Sequence, residues 1–249
     1  MNNLIRSEIS KLLKDRTFRF IVIMLFTIAV LAPLFFGDIS GMEANEFYRT
    51  YILLGNHQIV IYLPLILAGF FIANEYQSGT MKIFVASGNS RMNIYLSKLL
   101  VFSLGSLVIM TILPTFMLLS SCIIHGFSMF PDLTFFLQTL LLNGLYTVAF
   151  ATFVMIAATL LNESGKVIGV LLLFFALFNS ILGGISGMFP MLEPFIKNSI
   201  FIKYNQLPFL DHLDHFVTEE IMSFVIYPVG VIIVLSVVGV VIFNRKEIK

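Results

Sequence analysis

The chain reads as an all-α integral membrane protein with six transmembrane helices, and three observations carry that reading. Hydrophobic residues fill 58% of the 249 positions and charged residues only 12%, at a mean hydropathy of +0.97. A soluble domain carries about 25% charge. Six apolar stretches each approach the roughly 20 residues that a bilayer's hydrocarbon core requires of a helix. Lysine and arginine are distributed by side. If residues 1–19, 75–98, 162–166 and 244–249 share one side, that side holds 12 of the 15 basic residues. The other side keeps Arg49, Lys197 and Lys203. An excess of Lys and Arg marks cytoplasmic loops, so both termini are expected inside the cell. Nine of the 14 acidic residues fall on the outer side, which agrees but adds little, because acids contribute weakly to orientation.

The elements follow in order. In residues 1–17, Leu4, Ile5, Ile9, Leu12 and Leu13 recur at helical spacing, with Arg6, Glu8, Lys11, Lys14 and Asp15 between them. This pattern predicts an amphipathic helix lying in the cytoplasmic interface. The first span is 18–36. Basic residues ahead of an apolar run resemble a signal peptide, but Phe35-Phe36-Gly37-Asp38-Ile39-Ser40 has no clear pair of small residues for cleavage, so the helix is read as retained. Residues 38–54 read as a short external loop and 55–74 as the second span, with His57 and Gln58 forming a water-facing rim at its outer end. A cytoplasmic loop, 75–93, contains the turn Gly88-Asn89-Ser90. The third span, 94–124, contains Pro114, which is tolerated where neighbours satisfy the freed carbonyl. The fourth, 133–161, carries Gln138, Asn143, Thr147, Thr152 and Thr159, polar groups that face other helices. A tight inner turn at 162–166 leads into the fifth span, 167–185. Residues 188–223 are apolar but interrupted by Pro190, Pro194 and Pro208, and read as short helices embedded in the outer interface, re-entrant in character. The last span is 224–243, followed by a basic tail. All of this is one transmembrane domain.

The chemistry that the chain lacks narrows its function. Six spans leave no room for a soluble catalytic domain of ordinary size. Gly165-Lys166 is followed by Val167 and lacks the earlier glycine of a phosphate-binding loop, so nucleotide hydrolysis is not expected here. His212 and His215, beside Asp211 and Asp214, have i, i+3 spacing, yet read as a solvated face and not as a metal site. Glu219-Glu220 has Phe224 where paired-glutamate intramembrane proteases have arginine. Nothing basic remains beyond what topology explains, so nucleic acid is not a partner. The lone Cys122 sits in an apolar run as a small hydrophobe. Every charged residue lies in a loop or near a span end, which argues against a charge relay through the membrane and for an energy source outside the chain.

One loop is informative. Asn74-Glu75-Tyr76-Gln77-Ser78-Gly79-Thr80, then Ser87-Gly88-Asn89-Ser90-Arg91, then Tyr95-Leu96-Ser97-Lys98, resembles the cytoplasmic loop between the second and third spans of ABC-2-type transporter permeases. The six spans, the interfacial N-terminal helix, the apolar segment before the last span and the basic tail extend the resemblance over the whole chain. It implies a permease that pairs with a second permease, as homodimer or heterodimer, and with two cytoplasmic ATPase subunits. ATP and magnesium then belong to those subunits, and this chain holds no cofactor. The coupling loop would carry a short helix that docks on the ATPase, with Glu75, Gly79, Thr80, Ile83, Phe84, Arg91 and Lys98 as its residues. Apolar Ile83, Phe84 and Val85 can seat in a groove, while Glu75 and Arg91 can fix the angle through charged hydrogen bonds.

Permeases of this size look like the branch linked to lantibiotic and bacitracin-type immunity and to export of amphipathic peptides. The 27 phenylalanines and 12 methionines are compatible with an adaptable apolar surface for such cargo. Low cysteine and an Ile/Phe/Asn/Lys-rich vocabulary hint at an AT-rich bacterium, and the spans together with the resemblance imply its plasma membrane. Drugs, lipid-linked cargo and sodium-coupled efflux remain open as alternatives, as does an anchor or sensor subunit that binds an ATPase without transport. The substrate path is not legible in the sequence.

Overall fold

The computed structural model describes residues 2–36, 41–189, 191, 193–209 and 219–246. Ten helices account for the architecture, and no strand occurs among the described residues. They are α1 (Asn2–Lys14), α2 (Arg16–Phe35), α3 (Ala44–Gln77), α4 (Thr80–Ala86), α5 (Arg91–His125), α6 (Leu133–Leu161), α7 (Ser164–Met188), α8 (Glu193–Lys197), α9 (Ile200–Gln206) and α10 (Glu219–Arg245). Five of them, α2, α3, α5, α6 and the Met222–Arg245 portion of α10, are long and apolar enough to cross a bilayer. Helix α7 contributes a shorter apolar stretch, Ser164–Phe178.

Helix α1 buries Leu4, Glu8 and Leu12, one residue per turn along a single stripe. It lies along the first half of α5, where Gly105 has no side chain to hinder Leu12. Asp15 is extended (φ −64°, ψ 129°) and its carboxylate accepts the Phe18 N–H at 2.8 Å, capping α2. Helix α5 has 35 residues, about 52 Å at 1.5 Å per residue, against a hydrocarbon core of about 30 Å. Its excess length gives α1 a surface outside the apolar core.

Packing in the bundle shows how lipid-facing helices satisfy their backbones. Pro33 has no N–H, which orphans the Ala29 carbonyl one turn earlier. Ser120 Oγ on α5 donates to that carbonyl at 2.8 Å. His125 reaches the Pro33 carbonyl at 3.0 Å. Helices α2 and α5 are thereby joined by polar contacts between side chains and freed carbonyls.

The structure corrects two expectations. Most of the stretch read as an external loop, 38–54, is helix: α3 begins at Ala44 and runs without a break to Gln77, through π-helical segments at Tyr48–Leu53 and Gly69–Ala73. The stretch is polar at Asn45, Glu46 and Arg49, but Phe47, Tyr48, Ile52 and Leu53 recur at helical spacing and are all buried. His57, read as a solvated rim, is also buried. The expectations for Pro190, for Asp211, His212, Asp214 and His215, for residues 37–40 and for 247–249 lie outside the described residues, as do the side chains of Glu219 and Glu220.

Candidate functional site

Four separate stretches meet at one end of the bundle: α1, the 75–98 loop, the α6–α7 turn and the end of α10. They are the segments richest in Lys and Arg, and together they form the basic end of the molecule. The loop is built from local rules. Gly79 adopts φ +73°, the left-handed conformation that glycine enters at least cost. Its N–H donates to the Tyr76 carbonyl at 3.2 Å, which closes α3 and turns the chain. Helix α4 follows at once from Thr80, whose hydroxyl lies 2.8 Å from that of Ser78. Gly88 (φ +81°) makes the second turn, and the Ser90 hydroxyl accepts the Asn93 N–H at 3.3 Å to cap α5.

Helix α4 has two faces. Met81 is fully buried, and Phe84 and Val85 pack in part against the core. Lys82 is exposed, and Ile83 is 69% exposed although it lies outside every span.

A buried ion cluster lies behind α4. Lys98 of α5, 1% exposed, donates to Glu8 Oε1 of α1 at 2.7 Å and lies 2.5 Å from Glu75 Oε2 of α3. Lys11 of α1 pairs with Glu75 Oε1, lies 3.7 Å from Glu8 Oε2, and donates to the Phe71 carbonyl at 3.2 Å. That carbonyl lies in the second π-helical segment. Two lysines and two glutamates thus neutralise one another where isolated charge would be costly. The cluster also touches α4, because the Lys98 ammonium lies 4.5 Å from the centre of the Phe84 ring. Lys11 makes a similar contact to Phe71 at 4.1 Å.

The remaining loop residues tie down helix ends. Arg91 Nη1 donates to the carbonyls of Lys246 at 2.7 Å, Asn244 at 3.1 Å and Phe243 at 3.3 Å. A cation on the final carbonyls offsets both the orphan acceptors and the negative end of the α10 dipole. Lys246 does the same for α6, donating to the Thr159 carbonyl and to Asn162 Oδ1. Its ammonium also lies 4.8 Å from the Tyr76 ring centre. Burial lowers the Lys246 pKa from its ordinary value.

Glu75 and Lys98 therefore share one cluster, Phe84 contacts it, and Gly79 and Thr80 shape the turn into α4. Arg91, at the start of α5, stands apart from the cluster and binds the end of α10, and Ile83 faces away from them all. The sequence reading passed over Glu8 and Lys11. Their only signal was charge on an otherwise apolar helical stripe, for Glu8 falls midway between Leu4 and Leu12.

The sequence profile described as ABC-2 family transporter protein matches residues 4–183, well over half of the chain. The chain belongs to this ABC-2 transporter family. No curated protein matches it. The protein is thus the membrane permease of an ABC transporter, a family that works with an ABC ATPase partner and, in general, as dimeric permeases. The matched stretch takes in the permease's α1, ion cluster and α4, and ends within α7.

The opposite end of the permease holds a second polar group. Helix α9 folds back against α3 and α6. The Tyr204 ring stacks on His57 at 4.2 Å and 11°. Its hydroxyl donates to Asn143 Oδ1 at 3.2 Å and lies 3.3 Å from the His57 carbonyl. His57 Nε2 lies 2.8 Å from Asn205 Oδ1. Burial raises the Tyr204 hydroxyl well above the ordinary phenol range. Lys203 joins α9 to α10, donating to the Ser223 hydroxyl at 2.8 Å. Helix α9 thus reaches inward to the α3–α6 interface.

Proposed function

We propose that this permease exports hydrophobic or amphipathic peptides from a bacterial cell, driven by two ATPase subunits that dock on α4. Six spans, with α7 as the fifth, place both termini and the basic end in the cytoplasm and α8–α9 outside. A second permease, a copy or a related chain, completes the pore. ATP and magnesium are held by the ATPase subunits.

The observation that carries this reading is the build of α4. It is a two-turn helix with an exposed isoleucine, at the end of the molecule where lysine and arginine are concentrated, braced from behind by a buried ion cluster. An apolar residue outside the membrane at the tip of a braced element is the form expected of a docking knob. Glu75 and Lys98 act here as positioning residues, since they are buried among their own partners.

The peptide cargo rests on the branch resemblance and on the adaptable apolar surface. The test is export in proteoliposomes holding the permease and its ATPase. An amphipathic cationic peptide should raise ATP hydrolysis and accumulate on the far side of the membrane. ATPase binding without peptide stimulation or movement would favour the anchor or sensor role.

A further inference from the structure

A groove of about 480 Å³ opens on the flank of the bundle between α1, α5, α6 and α10. Ile5, Leu100, Leu104, Leu107, Val148 and Ile232 line it, and its wall is almost wholly apolar. Its volume lies within the roughly 300–1,000 Å³ typical of ligand sites. Leu100 and Leu104 are 43% and 44% exposed, so the groove is open from the side.

Depth and charge say what fits it. Val148 lies 13 residues from the α6 terminus at Leu161, and Ile232 lies 13 from the α10 terminus at Arg245. At 1.5 Å per residue, each lies about 20 Å from the basic end. The other limit is Ile5 on α1, beside the interface. The groove therefore spans the depth of one leaflet. Ile5 also borders a smaller depression lined by Asn2, Arg6 and Ile9. Arg6 is exposed there, whereas Glu8 and Lys11 of the same helix are engaged in the ion cluster. An apolar slot of leaflet depth with a cation at its interfacial mouth matches one lipid molecule.

We infer that the groove seats an acyl chain of an anionic phospholipid from the leaflet at the basic end, with its phosphate on Arg6. Long side chains of Arg carry their charge to the interface and pair with phosphate there. The occupied groove joins α1 to α10 through lipid. The inference needs only the fold and stands apart from the transport reading.

The chain contains no tryptophan, so one introduced at the groove reports on its surroundings alone. Leu104→Trp, with Leu100→Trp as an independent second variant, is reconstituted in phosphatidylcholine bilayers containing small fractions of brominated phosphatidylglycerol. Leu173→Trp on α7, exposed and nine residues from that helix's basic end, is the control position. The groove tryptophans should be quenched as though brominated phosphatidylglycerol were enriched about fivefold, the preference expected for one interfacial arginine. Leu173→Trp should follow the bulk fraction, brominated phosphatidylcholine should show no enrichment at either position, and Arg6→Gln should abolish the excess. Equal quenching by the two lipids, or an excess that survives Arg6→Gln, would overturn the inference. So would groove tryptophans that neither lipid quenches, which would mean that protein covers the groove.

Discussion

Lys98 is 1% exposed and bonded to Glu8, with Glu75 at 2.5 Å. Removing one partner of such a group leaves charge in a low-dielectric site, at a cost of about 3–5 kcal/mol. Lys98→Met should therefore lower the thermal midpoint strongly, while Glu8→Gln, which leaves Glu75 in place, should cost less. Cys122 is the single thiol and is buried, so the unfolding of each variant can be followed with a thiol-reactive dye. An unchanged midpoint for Lys98→Met would show that the cluster does not brace the fold. Ser120→Ala tests a smaller effect. It strands the Ala29 carbonyl left by Pro33 and should cost about 0.6 kcal/mol, with an upper bound near 1.7. At this scale the sequence was partly legible. Glu75 and Lys98 stand out because they flank the loop. Lys11 and Glu8 do not, because they lie 64 and 90 residues from their partners, and no local pattern encodes a pairing of that range.

Helices announce themselves by hydropathy, and the fourth span, 133–161, coincides with α6 from end to end. Hydropathy fails where a helix outlasts the bilayer. The first turns of α3 leave Glu46 exposed and Asn45 and Arg49 half-buried while burying Phe47 and Tyr48, so polarity alone reads them as loop. Close approach between helices is also invisible until glycines are placed against their neighbours. Gly239 of α10 packs directly on the Tyr95 ring of α5, and a β-carbon there would overlap the Tyr95 hydroxyl and ring. Tyr95 is buried, so it cannot simply swing away. Gly239→Val should separate α10 from α5 and lower the midpoint, and adding Tyr95→Ala should recover part of the loss. A double variant no better than the sum of its parts would show that the two positions act independently.

Over the whole molecule, the Lys/Arg distribution anticipated which segments would meet. Residues 1–19, 75–98, 162–166 and 244–246 do converge at one end, held by the Glu8/Lys11/Glu75/Lys98 cluster and by Arg91 and Lys246 on helix termini. Which side of the membrane that end faces is a prediction. With Cys122→Ser as background, an impermeant maleimide should label Ser128→Cys in intact cells and Ser87→Cys only after permeabilisation. Labelling of Ser87→Cys in intact cells would invert the topology. What hydropathy and charge could not convey was the inward fold of α9, because Tyr204, Asn205 and His57 become neighbours only once the bundle exists. If the ATPase binds at α4, site-directed cross-linking will capture it there. In the cysteine-free background, Ile83→Cys should form an adduct with the ATPase subunit, and Leu141→Cys, exposed on α6 toward lipid, should form none. Failure of Ile83→Cys to cross-link in a complex that hydrolyses ATP, or equal adducts from both positions, would show that the ATPase does not dock on α4.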